Sequence, residues 1–163
     1  MVFPCSQPIC VPSKVKSRLY ADAIPGHFAT NHSHINYYID MSDLKHKQSL
    51  AMTAARSFAA RMAGMPVDTI LCLEGTEYIG AYLAQELSRE SLSSMNTGRD
   101  LFLVEPDSNI NGQFIFADNL RPMIDGKAVF VMVASGSTGQ TLSQIAECVE
   151  YYGGHVVGNA ALF

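Results

Sequence analysis

Residues 126–163 constrain the fold more than any other segment, because they read as a strand, a loop, a helix and a second strand in direct succession. Residues 129–133 form a continuous apolar run, which is typical of a strand covered on both faces. Residues 135–141 are almost entirely Ser, Gly and Thr and carry little side-chain bulk. Such a loop lets backbone N–H groups approach an anion, and the following helix points its positive end at the same place. The pattern predicts a phosphate-binding loop.

Two common phosphate-loop signatures do not fit this segment. A Walker-type loop needs a Lys before its Ser or Thr, and residues 135–141 contain none. A dinucleotide-binding loop needs G-x-G-x-x-G, and the spacing of Gly136 and Gly139 does not match it. An ordinary strand-to-helix turn that caps its helix and holds no ligand stays open as the alternative.

The loop resembles the phosphoribosyl-pyrophosphate motif of type I phosphoribosyltransferases. In that family an apolar strand runs into two acidic residues, a Ser/Thr-Thr-Gly-x-Ser/Thr turn and a helix. The sequence STGQT at residues 137–141 matches the turn, whereas Val133 and Ala134 stand where the acidic pair belongs. The resemblance implies that the 5′-phosphate of a ribose is bound, largely by backbone N–H groups, at Ser137, Thr138, Gly139, Gln140 and Thr141.

A second segment, DTILCLEGTEYIGAYLA at residues 68–84, is similar to the pyrophosphate loop of the same family, most of all in its purine-type members. The resemblance implies that Glu74, Gly75 and Thr76, which follow the apolar strand, contact pyrophosphate. Glu77 stands where the family usually has Gly, and a carboxylate there repels pyrophosphate unless a metal ion lies between them. A plain strand-to-helix turn with acidic residues at the helix start is the alternative.

The segment HFATNHSHINYYIDM at residues 27–41 looks like the N-terminal motif of orotate phosphoribosyltransferases, although a His-containing turn replaces the Ser-Gly-Arg turn of that motif. In the family this segment lies over the base, which implies base contacts for Tyr37 and Tyr38 through a ring face or a hydroxyl. His32 and His34 are candidates for hydrogen bonds to a base, and exposed histidines without a ligand are the equal alternative. No carboxylate or cysteine lies close enough in sequence to complete a metal site with them.

Alternating strand and helix patterns along the chain predict an α/β fold, with a mostly parallel twisted sheet and helices on both faces. We expect one domain over residues 1–163, in which residues 1–25 form an extended arm and residues 26–44 a small hood over the base. The other predicted elements are helices at residues 45–62 and 78–89, strands at 69–73 and 101–104, and a two-stranded ribbon around residues 111–112.

The composition indicates a globular protein rather than a disordered one, since 48% of the 163 residues are hydrophobic and 16% are charged. The net charge of −4 and the lack of a basic run argue against a nucleic-acid partner. No apolar run approaches the ~20 residues of a membrane span, and the N-terminus lacks a secretory signal pattern. We therefore expect a cytoplasmic protein with reduced cysteines.

Two departures from the family bear on catalysis. Val133 and Ala134 cannot contact ribose hydroxyls or help to place a magnesium-bound substrate. Orotate-type enzymes also carry Arg and Lys in a loop that neutralises charge on the departing pyrophosphate, and residues 105–119 contain neither. Removing one such contact costs on the order of 10²–10³ in rate, so the departures favour weak or absent transferase activity in this chain alone.

The resemblance leaves two main hypotheses of function. The first is a phosphoribosyltransferase that joins a nucleobase such as orotate to phosphoribosyl pyrophosphate, with Mg²⁺ as the cofactor that accompanies the diphosphate. The second is a catalytically inactive module that binds a nucleotide or a sugar phosphate. A structural subunit of a hetero-oligomer is a third reading. Self-association as a homodimer is expected, because the family is commonly dimeric and twofold dimers are the commonest oligomers.

Overall fold

The structure of the chain is a computed structural model that describes residues 7–14, 16, 18–29, 34–90, 94–108, 111–136 and 138–163. The chain divides into two compact units, Met1–Ala54 and Ala55–Phe163. The expectation of one domain over residues 1–163 stays a prediction. Within the described part of the chain, no helix is both long and apolar enough to span a membrane.

The first unit contains an antiparallel sheet of three strands in the order β1-β2-β3. The strands are β1 (Ile9–Pro12), β2 (Tyr20–Ala29) and β3 (His34–Asp40). The register pairs Ile24 with Tyr38 and Ala29 with His34, and it shifts at a bulge between Pro25 and Phe28. The extended arm predicted for residues 1–25 includes β1 and the first half of β2, so part of it is hydrogen-bonded sheet.

Two helices replace the single helix predicted for residues 45–62. α1 (Ser42–His46) begins early, because Asp40 Oδ1 accepts hydrogen bonds from the Ser42 N–H at 2.9 Å and from its hydroxyl at 2.6 Å. The same two bonds lower the pKa of Asp40 from its ordinary value. Lys47 then takes an extended backbone with ψ of 112°, which separates α1 from α2 (Gln48–Met62). The prediction of one uninterrupted helix is wrong, because apolar periodicity does not register a break at a single residue.

The second unit is built around a parallel sheet of four strands in the order β5-β4-β8-β9, which confirms the predicted α/β class. Its elements in chain order are β4 (Thr69–Cys72), α3 (Glu77–Ser88), β5 (Phe102–Val104), β6 (Asp107–Ser108), β7 (Phe114–Ile115), a 3₁₀ helix (Asp118–Met123), β8 (Ala128–Val133), α4 (Gln140–Tyr151) and β9 (His155–Ala161). The antiparallel pair β6–β7 is the ribbon that the Asn111-Gly112 pair predicts.

The two crossover helices follow from the strand order. α3 links β4 to β5 and α4 links β8 to β9, so the two crossovers leave the centre of the sheet in opposite directions. Since crossovers of parallel strands are right-handed, opposite directions put the two helices on opposite faces. The central strands are therefore covered twice: Ile70 and Leu71 in β4 and Val129 and Val131 in β8 are all buried.

Two polar side chains hold the amino ends of the strands. Asp68 accepts hydrogen bonds from the Arg99 guanidinium and, at 2.9 Å, from the Ala128 N–H. The fully buried Asn96 accepts a hydrogen bond from the Val67 N–H and donates one to the Met65 carbonyl, each at 2.9 Å. The carboxyl ends of the same strands carry the predicted ligand loops.

Candidate phosphate-binding site

The sheet reverses its direction of winding between β4 and β8, its two central strands. In open α/β sheets the loops on either side of such a switch point diverge, and the crevice between them at the carboxyl ends of the strands is where ligands bind. The loops that leave β4 and β8 are those at residues 73–76 and 134–139. The two loops for which the sequence predicts phosphate and pyrophosphate contacts are therefore neighbours at this edge.

A hydrogen-bonded carboxylate joins the two loops. Glu74 Oε2 accepts hydrogen bonds from the N–H groups of Ala134 at 3.1 Å and of Ser135 at 3.2 Å. Glu74 and Gly75 both have positive φ, of 59° and 79°. Positive φ is strained for a residue with a Cβ, so the turn after β4 holds Glu74 in a costly conformation that its hydrogen bonds help to maintain. Two donors at the start of the loop after β8 are thus already in contact with an acidic side chain.

Thr76 shapes the turn after β4 from the inside. Its residue is fully buried, and its hydroxyl donates to the Leu73 carbonyl at 2.9 Å and accepts from the Leu73 N–H at 3.2 Å. The hydroxyl also lies 3.3 Å from the Met132 carbonyl of β8. The sequence predicts ligand contacts for Glu74, Gly75 and Thr76. Because the Thr76 hydroxyl is occupied by these contacts within the protein, a ligand contact by Thr76 would come from its backbone.

The partly buried Glu77 and the buried Cys72 lie close together behind the turn. Among the described residues, Glu77 Oε1 is a buried side-chain oxygen without a hydrogen-bond partner. Burial and, as the next largest cause, the charge of the nearby Glu77 carboxylate raise the pKa of the Cys72 thiol to about 12. Gly80, one turn into α3, lets the helix approach β4 so closely that a Cβ there would collide with Cys72 Sγ.

The loop after β8 is anchored by the end of the chain. The Gly136 N–H donates to the Phe163 carbonyl at 3.0 Å, and the Phe163 N–H donates to the Ala134 carbonyl at 3.1 Å. Ser137 lies outside the described residues. Thr138 is exposed, and its Oγ1 lies 3.4 Å from the Gln140 N–H as an acceptor.

Gly139 is the residue at which the loop after β8 ends and α4 begins. It is the N-cap of the helix and has a left-handed backbone, with φ of 77°, and nothing lies within 4 Å of where its Cβ would be. Gln140 and Thr141 begin the helix, whose first turn contains no acidic residue. The first backbone N–H groups of a helix have no partner within it and carry partial positive charge, so this end of α4 suits an anion.

Among the described residues, the side chains at this edge do not form a magnesium site of their own. Magnesium prefers carboxylate and other oxygen ligands, and Val133 and Ala134 supply none where the family's motif has an acidic pair. No group of three or more His, Cys, Asp or Glu side chains that could hold a metal ion occurs among the described residues. The described residues therefore do not fit the Mg²⁺ that the resemblance implies.

The predicted base-contacting residues lie in the first unit. Tyr37 and Tyr38 are adjacent in β3, so their side chains point to opposite faces of the sheet, and each is 50% exposed. The ring of Tyr38 lies 5.8 Å from the ring of Phe28. His32 lies outside the described residues, and His34 contacts His27, a residue that sequence analysis did not single out. Their contact with a base stays a prediction.

Solved structures that share this fold include several phosphoribosyltransferases. Orotate phosphoribosyltransferase of Mycobacterium tuberculosis H37Rv, in complex with Fe(III) dicitrate, matches with a TM-score of 0.56 at 16% identity, over 85% of this chain and 75% of that one. UMP synthase of Leishmania donovani matches with a TM-score of 0.62 at 19% identity, over 85% of this chain and 28% of that one. Adenine phosphoribosyltransferase of Thermoanaerobacter pseudethanolicus matches with a TM-score of 0.57 at 18% identity, over 85% of this chain and 82% of that one.

No protein-family model matches the sequence, and no curated protein matches it either. The chain spans under a third of the length of the UMP synthase, at 28%, but most of the length of the orotate and adenine enzymes. The structural similarity shows the fold, and sequence identities this low leave the activity open. The chain thus has the α/β fold of type I phosphoribosyltransferases.

Proposed function

We propose that the loop after β8 binds the 5′-phosphate of a nucleotide or of a phosphoribosyl compound, and that the chain acts as a binding module with this fold. The observation that carries the proposal is the left-handed Gly139 at the start of α4, at the switch point of the sheet. The loop around Gly139 carries little side-chain bulk, and the first turn of α4 contains no acidic residue. Both lie where open α/β sheets bind their ligands. Ser137, Thr138, Gly139, Gln140 and Thr141 are the proposed contacts.

Charge argues for a single phosphate rather than pyrophosphate at this edge. Glu74 already accepts from two N–H groups beside the loop, and Glu77 places a second carboxylate in the following turn. Like charges near the protein surface repel each other when they come within a few ångströms. A monophosphate bound at the start of α4 keeps its charge on the helix side, whereas a pyrophosphate that extends to residues 74–76 meets both carboxylates.

Thermal shift tests the proposal. Wild type is heated with phosphoribosyl pyrophosphate and with nucleoside 5′-monophosphates, each with and without Mg²⁺. At 100 times its dissociation constant a ligand adds about 2.7 kcal/mol to the free energy of unfolding. The Gly139→Glu variant, which places a carboxylate at the loop, should lose this stabilisation.

Gly98→Glu is the matched control, because Gly98 also has positive φ, 69°, and open space around its Cβ. It should lose intrinsic stability comparably but keep the ligand-induced shift. A ligand shift that survives in Gly139→Glu, or the lack of any shift in wild type, would contradict the proposal.

Transfer of a phosphoribosyl group to a nucleobase is the second candidate function. It is favoured by the two loops that meet at one edge and by the order of the three motifs along the chain. In this reading residues 74–76 contact pyrophosphate, Tyr37 or Tyr38 contacts the base, and Mg²⁺ arrives with the diphosphate ligand. Release of pyrophosphate on incubation with phosphoribosyl pyrophosphate and each common base would support transfer. If no pyrophosphate is released but the chain still binds a phosphate ligand, the result would favour the binding module.

The proposed setting is a cytoplasmic homodimer whose ligand is a small phosphorylated molecule, without nucleic-acid or membrane partners. The net charge of −4 supports the exclusion of nucleic acid. Dimerisation matters for the second candidate, because a neighbouring subunit is a source of the basic residues that this chain lacks at positions 105–119. Analytical ultracentrifugation measures the oligomeric state directly.

A further inference from the structure

Two histidines of the first unit meet beside the pair Ala29–His34, where β2 ends and β3 begins. His34 Nδ1 lies 3.0 Å from His27 Nε2, the ring centroids are 4.9 Å apart and the rings are inclined by 26°. Ala29 pairs with His34 across the strands, so His27, two residues before Ala29, is the diagonal neighbour of His34. Both histidines are exposed, so the two nitrogens are accessible to ions in solution.

The contact brings together two atoms with the same chemistry. A neutral imidazole has one nitrogen with an N–H and one with a lone pair. The two rings form a hydrogen bond when one of the two facing nitrogens carries the N–H and the other carries the lone pair. When both nitrogens present lone pairs instead, they are two metal-ligating atoms 3.0 Å apart. Imidazole is the side chain that Zn²⁺, Cu²⁺ and Ni²⁺ commonly bind.

The separation of the nitrogens discriminates between metals. With metal–nitrogen bonds of about 2.0–2.1 Å, a nitrogen–nitrogen distance of 3.0 Å gives an angle of about 94° at the ion. This is close to the right angle of tetragonal Cu²⁺ or Ni²⁺ and smaller than the ~109° of tetrahedral Zn²⁺. Cu²⁺ also binds nitrogen ligands most tightly among the divalent first-row ions.

We propose that His27 and His34 form a two-imidazole binding site for a divalent transition-metal ion, with Cu²⁺ preferred and water filling the remaining positions. Within the described residues no third His, Cys, Asp or Glu joins the pair. His32 precedes His34 by two residues in the sequence and is a further imidazole of the same segment. The bound ion links β2 to β3. The site uses residues of the first unit alone, and its test does not depend on the proposed phosphate binding.

Titration of the full chain with Cu²⁺ alone tests the site. Visible absorption and the nitrogen hyperfine pattern in electron paramagnetic resonance report imidazole ligation, and competition with a chelator gives the affinity. We expect one Cu²⁺ per chain at this pair, with Zn²⁺ bound more weakly. His27→Ala and His34→Ala should each weaken Cu²⁺ binding about tenfold or more, since changes even in the residues around metal ligands cost 10–100-fold.

His155→Ala is the control, because His155 is an exposed histidine in β9 of the second unit, and it should bind Cu²⁺ like wild type. His34→Gln, whose side chain retains hydrogen-bonding capacity, guards against loss of folding, and circular dichroism checks each variant. His32→Ala distinguishes a two-histidine site, if affinity is unchanged, from a three-histidine site that includes the pair. Wild-type affinity in His27→Ala, or loss of binding in His32→Ala alone, would overturn the proposal.

Discussion

Glu74 and Ala134 connect the carboxyl ends of the two central strands, because Glu74 Oε2 accepts a hydrogen bond from the Ala134 N–H at 3.1 Å. The neighbouring Ser135 N–H donates to the same oxygen at 3.2 Å. The carboxylate therefore lies against backbone donors at the entrance of the loop that the sequence assigns to a phosphate. Substitutions of Glu74 test both the stability of this edge and its affinity for anions.

Replacing Glu74 should separate backbone strain from hydrogen bonding. Glu74→Ala removes both bonds and keeps the left-handed backbone, so we expect a loss of about 1–3 kcal/mol in the free energy of unfolding. Glu74→Gly removes the same bonds but relieves the positive φ, and should be more stable than Glu74→Ala by about 1 kcal/mol. Urea unfolding measures both values. Equal stability of the two variants would mean that φ at this position carries no strain.

The same variants should bind phosphate more tightly than wild type. Loss of the carboxylate removes a negative charge beside the loop and frees two N–H groups. Glu74→Gln, which keeps an oxygen acceptor without charge, is the matched variant for the charge alone. Isothermal titration with a nucleoside 5′-monophosphate gives the affinities, and weaker binding by Glu74→Gln would argue that Glu74 assists the ligand instead.

Gly80→Ala should destabilise the protein although alanine favours helices. A Cβ at Gly80 would overlap Cys72 Sγ, which is buried in β4, so α3 has to move away from the sheet. Overpacking of this kind costs about 1–3 kcal/mol, against a gain of at most about 1 kcal/mol in helix propensity. Thermal or urea unfolding shows the net loss.

Two further variants check that the Gly80 effect arises from the contact with Cys72. Gly64→Ala is a control, since nothing lies within 4 Å of its Cβ position, and it should change stability little. In the double variant Gly80→Ala with Cys72→Ala the clash disappears, so the two effects should combine less than additively. Strict additivity would rule out the direct contact as the cause.

Asn96 should be among the most costly polar residues to replace. The residue is fully buried, and its side-chain amide accepts a hydrogen bond from the Val67 N–H and donates one to the Met65 carbonyl, each at 2.9 Å. Asn96→Ala leaves the buried Val67 N–H and the partly buried Met65 carbonyl without these partners, for a loss of about 2–4 kcal/mol in the free energy of unfolding. The exposed Asn119→Ala serves as control and should stay within about 0.5 kcal/mol of wild type. Equal effects of the two substitutions in urea unfolding would contradict this role.

Alkaline pH should weaken the fold through Cys72. Its pKa rises from 9.0 to about 12 in the folded protein, because burial and then the Glu77 carboxylate disfavour the thiolate. Between these values the unfolded chain releases the proton and the folded chain keeps it, so stability is fully present below about pH 9 and falls as pH rises toward 12. The slope from this one group is at most about 1.4 kcal/mol per pH unit.

Cys72→Ala removes that contribution, so its free energy of unfolding should fall less steeply than that of wild type over the same range. Parallel pH profiles for the two proteins would exclude the thiol as the cause. Reagents for thiols provide a second measurement: the exposed Cys10 should react in the native state, whereas Cys72 should react only after unfolding.

The parallel sheet was predictable because its strands carry a strong local signal. Residues 129–133 and 70–73 are apolar without interruption, as required of strands buried on both faces, and each run is followed by a short loop and a helical pattern. The strands of the first unit gave weaker signals, because most of their residues are partly exposed and their pairing joins distant segments. For that reason β1 and β2 were expected only as extended chain.

The sequence by itself determined the order of the main strands and helices of the second unit, the small-residue loop after β8 and the absence of acidic residues at positions 133–134, since these depend on residue type and local periodicity. Tertiary structure alone decided that Glu74 lies on the N–H groups of Ala134 and Ser135 and that His27 meets His34. Those contacts join residues from different strands or loops. Their formation depends on strand register and on backbone angles such as the positive φ of Glu74, which no local pattern specifies.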